Sequence, residues 1–265
     1  CMFTCSYTNT CGFTPPWIPH QAGITKSITD FGAIPNDATS DQCAFEEAAY
    51  FFQNNTLVNG GPGGNGTLII PTGEYIVGWQ EHTYSSSHPG WFQYSGQNVF
   101  CLVNVQDFTI LGGQSGLNHA ILKFEDCMKY GSFDPNTGER YIHNPPLGNW
   151  QTDPQYAATV GTMINIQEGM NINILNLELN GNVDNHSIGG NWGIDGAGIN
   201  LAHDGIQLDR CHFTTVDNVN AHHFGRDGIL VLSCTLGLPQ TDVLRLKILN
   251  SKFEWNSRCG MDWAG

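Results

Sequence analysis

The chain has 265 residues and a formal net charge of −14, from 10 Lys plus Arg against 24 Asp plus Glu. Charged residues are only 13%, while Gly numbers 32 and Asn 25. These values exclude a basic nucleic-acid binder and a helical bundle or coiled coil. With 40% hydrophobic residues the chain can bury a core, which argues against disorder. No run reaches the apolar length of a membrane helix.

In chain order, residues 1–26 form an arm in which Cys1, Cys5 and Cys11 are expected to act as staples. Nine Cys in all point to an oxidising compartment, secreted or at the cell surface. Ser40 or Asp41 can cap a helix whose apolar face is Ala44, Phe45, Ala48, Ala49, Phe51 and Phe52. It stops before the turn-rich Asn59–Gly64. The run from Thr67 to Val77 reads as two short strands around a Pro71-Thr72-Gly73 corner. Aromatic-rich segments at about 78–98 and 128–161 are too long for plain connections and are read as functional loops. Sequons at Asn54, Asn65 and Asn185 are candidate glycosylation sites.

A repeat runs through the second half. His203-Asp204-Gly205-Ile206 and Arg226-Asp227-Gly228-Ile229 lie 23 residues apart, as do Cys211 and Cys234. Arg258-Cys259-Gly260-Met261 follows Arg226-Asp227-Gly228-Ile229 at 32, and the surplus of 9 fits a loop near Leu236–Gln240. Asn176, Asn218 and Asn250 form another column, with Gly112 in the Asn place of an earlier copy. Alternating apolar residues change phase beside each Asn, which is tolerated where a chain turns a corner. Stacked strand–corner–strand units of this length are coils of an all-β solenoid. Asn suits the corner because it tolerates the left-handed backbone and its amide can bond between rungs.

The opening resembles the pectin-lyase-like right-handed parallel β-helix superfamily, in its pectate-lyase-3-type form. The matching residues are Asp30-Phe31-Gly32-Ala33, Asp37, Asp41 and the Gly66–Tyr75 strand pair with its Pro-Thr-Gly corner. The resemblance implies a right-handed parallel β-helix with a capping helix over residues 27–265. It implies no particular reaction, because that superfamily holds lyases, hydrolases, epimerases, tailspikes and non-catalytic proteins. The "NTD", "DD" and "GHG" blocks of polygalacturonase-type hydrolases are missing, as are the "WxDH" and "RxPxxR" blocks of classical pectate lyases. Arg245-Leu246-Lys247 resembles a hydrolase "RIK" block but has no companions.

In a stacked coil, columns replace local motifs as the place where chemistry gathers. His203, Arg226 and Arg258 form one column, with Asp204 and Asp227 beside it. These are candidate catalytic residues, and Asp204 and Asp227 are candidate Ca²⁺ ligands. The competing reading is that each Asp bonds its turn and each Arg pairs with an Asp. A catalytic role requires Arg226 and Asp227 to reach a solvent-lined groove. His222 stands in a column with Asn180 and Glu254 and is a candidate general acid or base. His223 aligns with Trp255, read as packing. Trp91, Tyr94, Tyr141 and Trp150 could line a sugar cleft, or pin loops to the flank. Cys211 and Cys234 are a candidate disulfide, with a buried thiol as the rival.

Two functions are open on the sequence. One is a secreted carbohydrate-active protein that binds or cleaves a polysaccharide, as lyase or hydrolase. The net charge disfavours capture of a polyanion unless Ca²⁺ is bound. The other is a non-catalytic β-helix subunit of an extracellular filament, appendage or adhesin. Because residues 258–263 open another rung copy, the stack is expected to continue, or to be covered by a partner chain or a second copy.

Overall fold

The protein is described by a computed structural model covering residues 11, 23–55, 62–84, 90–113, 119–143, 157–190, 201–232 and 246–264. Three parallel faces wind around one core. The first face stacks Ile24–Ser27, Gly63–Ile70, Val105–Gly112, the start of Met170–Asn180, the start of Thr214–His222, and Leu246–Leu249. The second stacks Gly73–Val77, Ala120–Phe124, the ends of those two long strands, and Lys252–Glu254. The third runs Phe100–Val103, Gly161–Gln167, His203–Asp209, Asp227–Leu232 and Cys259–Ala264. This is a parallel β-helix, the architecture that the repeat and the resemblance imply. The stack already includes Ile24–Ser27, so it begins within the segment read as the arm.

The core is built from register. Leu68, Ile110, Ile174, Val216 and Ile248 form one inward column. Phe100, Ile164, Ile206, Ile229 and Met261 form another. A third is Tyr75, Leu122, Leu179, Ala221 and Phe253. Parallel strands 4.7–4.9 Å apart place equivalent side chains in direct contact, so each apolar position is repeated rather than local.

The corners explain the Asn column. Asn176, Asn218 and Asn250 have φ of 58°, 53° and 48°, a left-handed backbone that Asn accepts more readily than most residues. Asn218 Nδ2 donates to Asn176 Oδ1 at 3.0 Å, and Asn250 Nδ2 donates to Asp217 Oδ1 at 2.9 Å. Ile174 and Leu177 face inward on either side of Asn176, and Leu175 is half-buried. The change of phase therefore spans the corner, and Leu249, the residue before Asn250, is exposed. Gly112 takes the Asn place because a Cβ there would meet the Asn176 carbonyl oxygen at 1.9 Å.

The helix Gln42–Asn54 covers the first rungs, burying Ala44, Phe45, Ala48, Ala49 and Phe52. Asp41 holds the N-cap position without capping, because its carboxylate accepts from Ile34 N at 2.9 Å. Gln53 bonds both edge groups of Val103, donating to its carbonyl and accepting from its N–H, each at 2.7 Å. The helix thus closes the open edge of the third face. Cys11 is bonded to Cys43 on this helix, with the Cα atoms 5.5 Å apart, rather than within the arm. Cys101 is also disulfide-bonded. Among the described residues no helix is long and apolar enough to cross a membrane.

Candidate functional site

The repeated Asp and Arg residues form a buried ladder. Asp204 and Asp227 are each 0% exposed. Arg226 reaches back one rung, its Nε donating to Asp204 Oδ1 at 2.7 Å and its Nη2 to Asp204 Oδ2. Arg258 repeats this on Asp227, with Nε to Oδ1 at 2.9 Å, and also donates to Asp262. Asp204 Oδ1 further accepts from Asp227 N at 3.2 Å. The neighbouring carboxylate holds the Arg226 guanidinium protonated, while burial pushes the Asp227 carboxyl up against the pull of Arg258. Each charge is matched by fork-shaped bonds, so the pairing reading accounts for this column and no open groove serves Asp204 or Asp227. The same two carboxylates do not fit Ca²⁺, since an Arg closes each one. Among the described residues no group of three or more His, Cys, Asp or Glu side chains gathers to hold a metal.

His203 is likewise structural. It is fully buried, its Nδ1 accepts from Gly225 N at 3.0 Å, and its Nε2 lies 2.9 Å from the Gly181 carbonyl. Donation from Nε2 to that carbonyl makes the ring neutral. Burial lowers its pKa well below the ordinary value. His186 stacks on it with ring centres 5.0 Å apart, and burial lowers His186 to about 4.

The described parts of the two aromatic segments pair as strands. They supply Lys129–Ser132, Ala157–Ala158, Phe92–Gly96 and Gln80–Tyr84 of a small mixed sheet, which Ser187–Gly189 joins at one edge. Tyr94 is buried, donates to the Gly138 carbonyl at 3.0 Å, and packs edge-on to Phe133. It pins the loop. Trp91 and Tyr141 are half-buried, and Trp150 lies outside the described residues. Cys211 is a buried thiol whose Sγ donates to the Ile166 carbonyl at 3.2 Å, while Cys234 lies outside the described residues. Of the sequons, Asn54 and Asn185 are exposed. Asn65 is buried with its amide turned to the Pro62 and Gly63 carbonyls, closed to a glycan in the folded chain.

The outward side of the second face is different. His222 Nε2 lies 3.3 Å from Glu178 Oε1, and His222 Nδ1 lies 2.6 Å from His223 Nδ1. His223 Nε2 in turn stands 3.7 Å from Asp184 Oδ2. The result is a chain of carboxylate, two imidazoles and carboxylate, half-open to solvent. Glu178 lies below its ordinary range, first because His222 bonds it. Glu254 is opposite His222 in register, but His222 turns to Glu178, the diagonal neighbour two residues before Asn180. Diagonal pairs lie within reach of long side chains, a signal that reading only straight columns missed. Trp255 follows Glu254 and is 76% exposed. Its φ of 57° equals that of His223, so both residues turn the same corner on successive rungs. Their alignment is therefore a shared corner on an open face.

No family model matches this chain, and no curated protein does. Among solved structures it is similar to the A-module of a mannuronan C-5 epimerase from Azotobacter vinelandii, at 18% identity, 89% of this chain, 53% of that chain and a TM-score of 0.38. It is also similar to a hyperthermoactive exopolygalacturonase from Thermotoga maritima, at 15% identity, 83% of this chain, 56% of that chain and a TM-score of 0.34. A family 28 exopolygalacturonase from Yersinia enterocolitica matches at 10% identity, 87% of this chain, 48% of that chain and a TM-score of 0.35. The chain spans about half the length of these structures.

Proposed function

We propose that this chain is a secreted carbohydrate-active β-helix protein. In this reading a polysaccharide lies across the rungs of the second face and proton transfer takes place at the His222–His223 pair. The observation that carries the proposal is the exposed Trp255 on the same corner column as His223. A sugar ring presents an apolar C–H face that an indole can cover, and its hydroxyls need polar partners such as Glu178, His222, His223 and Asp184. Imidazoles in contact with carboxylates suit general acid and base work. Secretion is supported by the Cys11–Cys43 disulfide and by the bonded Cys101. The test is a panel of neutral and acidic polysaccharides, with and without Ca²⁺. Binding is followed by tryptophan fluorescence, and products by reducing ends and by absorbance of unsaturated uronates. Binding that depends on Trp255 supports the proposal, and no binding across the panel overturns it.

A further inference from the structure

The hydrogen bonds of the second face fix where its protons sit. Glu178 carries no proton, since its carboxyl is held below the ordinary carboxylate range. The hydrogen between Glu178 Oε1 and His222 Nε2 therefore belongs to His222 Nε2. With both rings neutral, as at mildly alkaline pH, each imidazole carries one N–H and one lone pair, so His222 Nδ1 is an acceptor. The group facing it at 2.6 Å is His223 Nδ1. Two lone pairs cannot share that distance, so His223 Nδ1 is the donor. The remaining nitrogen, His223 Nε2, then holds a bare lone pair on a side chain 36% exposed, with Asp184 3.7 Å away.

We infer that His223 Nε2 is the proton-accepting atom of this face, with His222 and Glu178 as positioning residues that lock its tautomer. This rests on the carbohydrate reading for its substrate, a sugar hydroxyl, a bound water or a sugar C–H. In the step the Nε2 lone pair forms an N–H bond as the O–H or C–H bond breaks. The freed electron pair stays on the oxygen or carbon. The new imidazolium faces the Asp184 carboxylate, and the proton is later returned to the departing or product group, so the step is redox-neutral. The other charged groups around the pair are Glu254 and Lys252 on the next rung, Lys123 beside Asn180 on the preceding one, and His119, whose charge acts on Glu178. The sequence places His222 as the acid or base, whereas the bonding pattern moves that role one residue on.

The test reads tautomers directly, without a ligand. In nitrogen-15 histidine NMR of the whole chain at mildly alkaline pH, His222 is expected as the Nε2–H form and His223 as the Nδ1–H form. In His222→Phe the His223 signature shifts toward Nε2–H, because its acceptor is gone. An Nε2–H or doubly protonated His223 in the unaltered chain overturns the inference, whatever glycan is or is not found. Failure to bind any polysaccharide overturns the carbohydrate reading and leaves the tautomers to be judged separately. Where turnover is found, His223→Ala is expected to lower it at least about 100-fold with binding retained. Equal turnover in that variant overturns the assignment.

Discussion

Arg226 grips the carboxylate of Asp204 from one rung further along the coil, and that carboxylate is completely buried. Arg258 does the same to Asp227. The repeat that draws attention in the sequence is therefore an ion-pair ladder between coils. Removing one partner from a buried pair leaves an uncompensated charge, a loss of about 3–5 kcal/mol. Asp204→Asn is expected to lose stability on that scale in denaturant unfolding. A variant as stable as the parent contradicts the ladder.

Two stacked, buried histidines set a pH limit. His186 falls from an ordinary 6.5 to about 4, and His203 lies well below its ordinary value, both chiefly through burial. The folded chain then binds fewer protons than the unfolded chain below pH 6.5, so stability must fall as pH drops through that window. For His186, the fall from 6.5 to about 4 corresponds to about 3 kcal/mol by pH 4. Thermal unfolding from pH 7 to 4 should show this decline, and His186→Phe should make it shallower. A flat profile over that range contradicts the buried neutral pair.

The Asn corners combine backbone and side-chain effects that substitution can separate. Asn218→Gly keeps the left-handed backbone and loses the bond to Asn176, with an expected cost of about 0.5–1.5 kcal/mol. Asn218→Ala loses the bond and strains the backbone, adding roughly 1–2 kcal/mol. Equal stabilities for the two variants contradict the corner account.

Much of the fold is legible in the sequence because a solenoid writes its contacts as a period. The 23-residue offset of Ile206 and Ile229 is the register itself, and the Asn column marks the corners. The site is less legible for the same reason. A column of Asp204, Asp227 and Arg226 looks alike whether it faces a groove or is sealed, since burial depends on what covers the third face and the period does not record it. Glu178 is not marked by any column and His223 reads as packing against Trp255, because their polar partners are a diagonal neighbour and an adjacent residue. Asp184 enters from a short 3-10 turn at Val183–Asn185, inside an insertion that has no copy in the other coils.

The central claim is that the open second face, with Trp255 beside the paired histidines, holds the polysaccharide. The most direct measurement is a fluorescence titration of the unaltered chain and of Trp255→Ala against the best polysaccharide of the panel. The account predicts that affinity falls at least about tenfold in Trp255→Ala, with the unfolding transition unchanged because the indole is exposed. Equal affinity in the two proteins would contradict it.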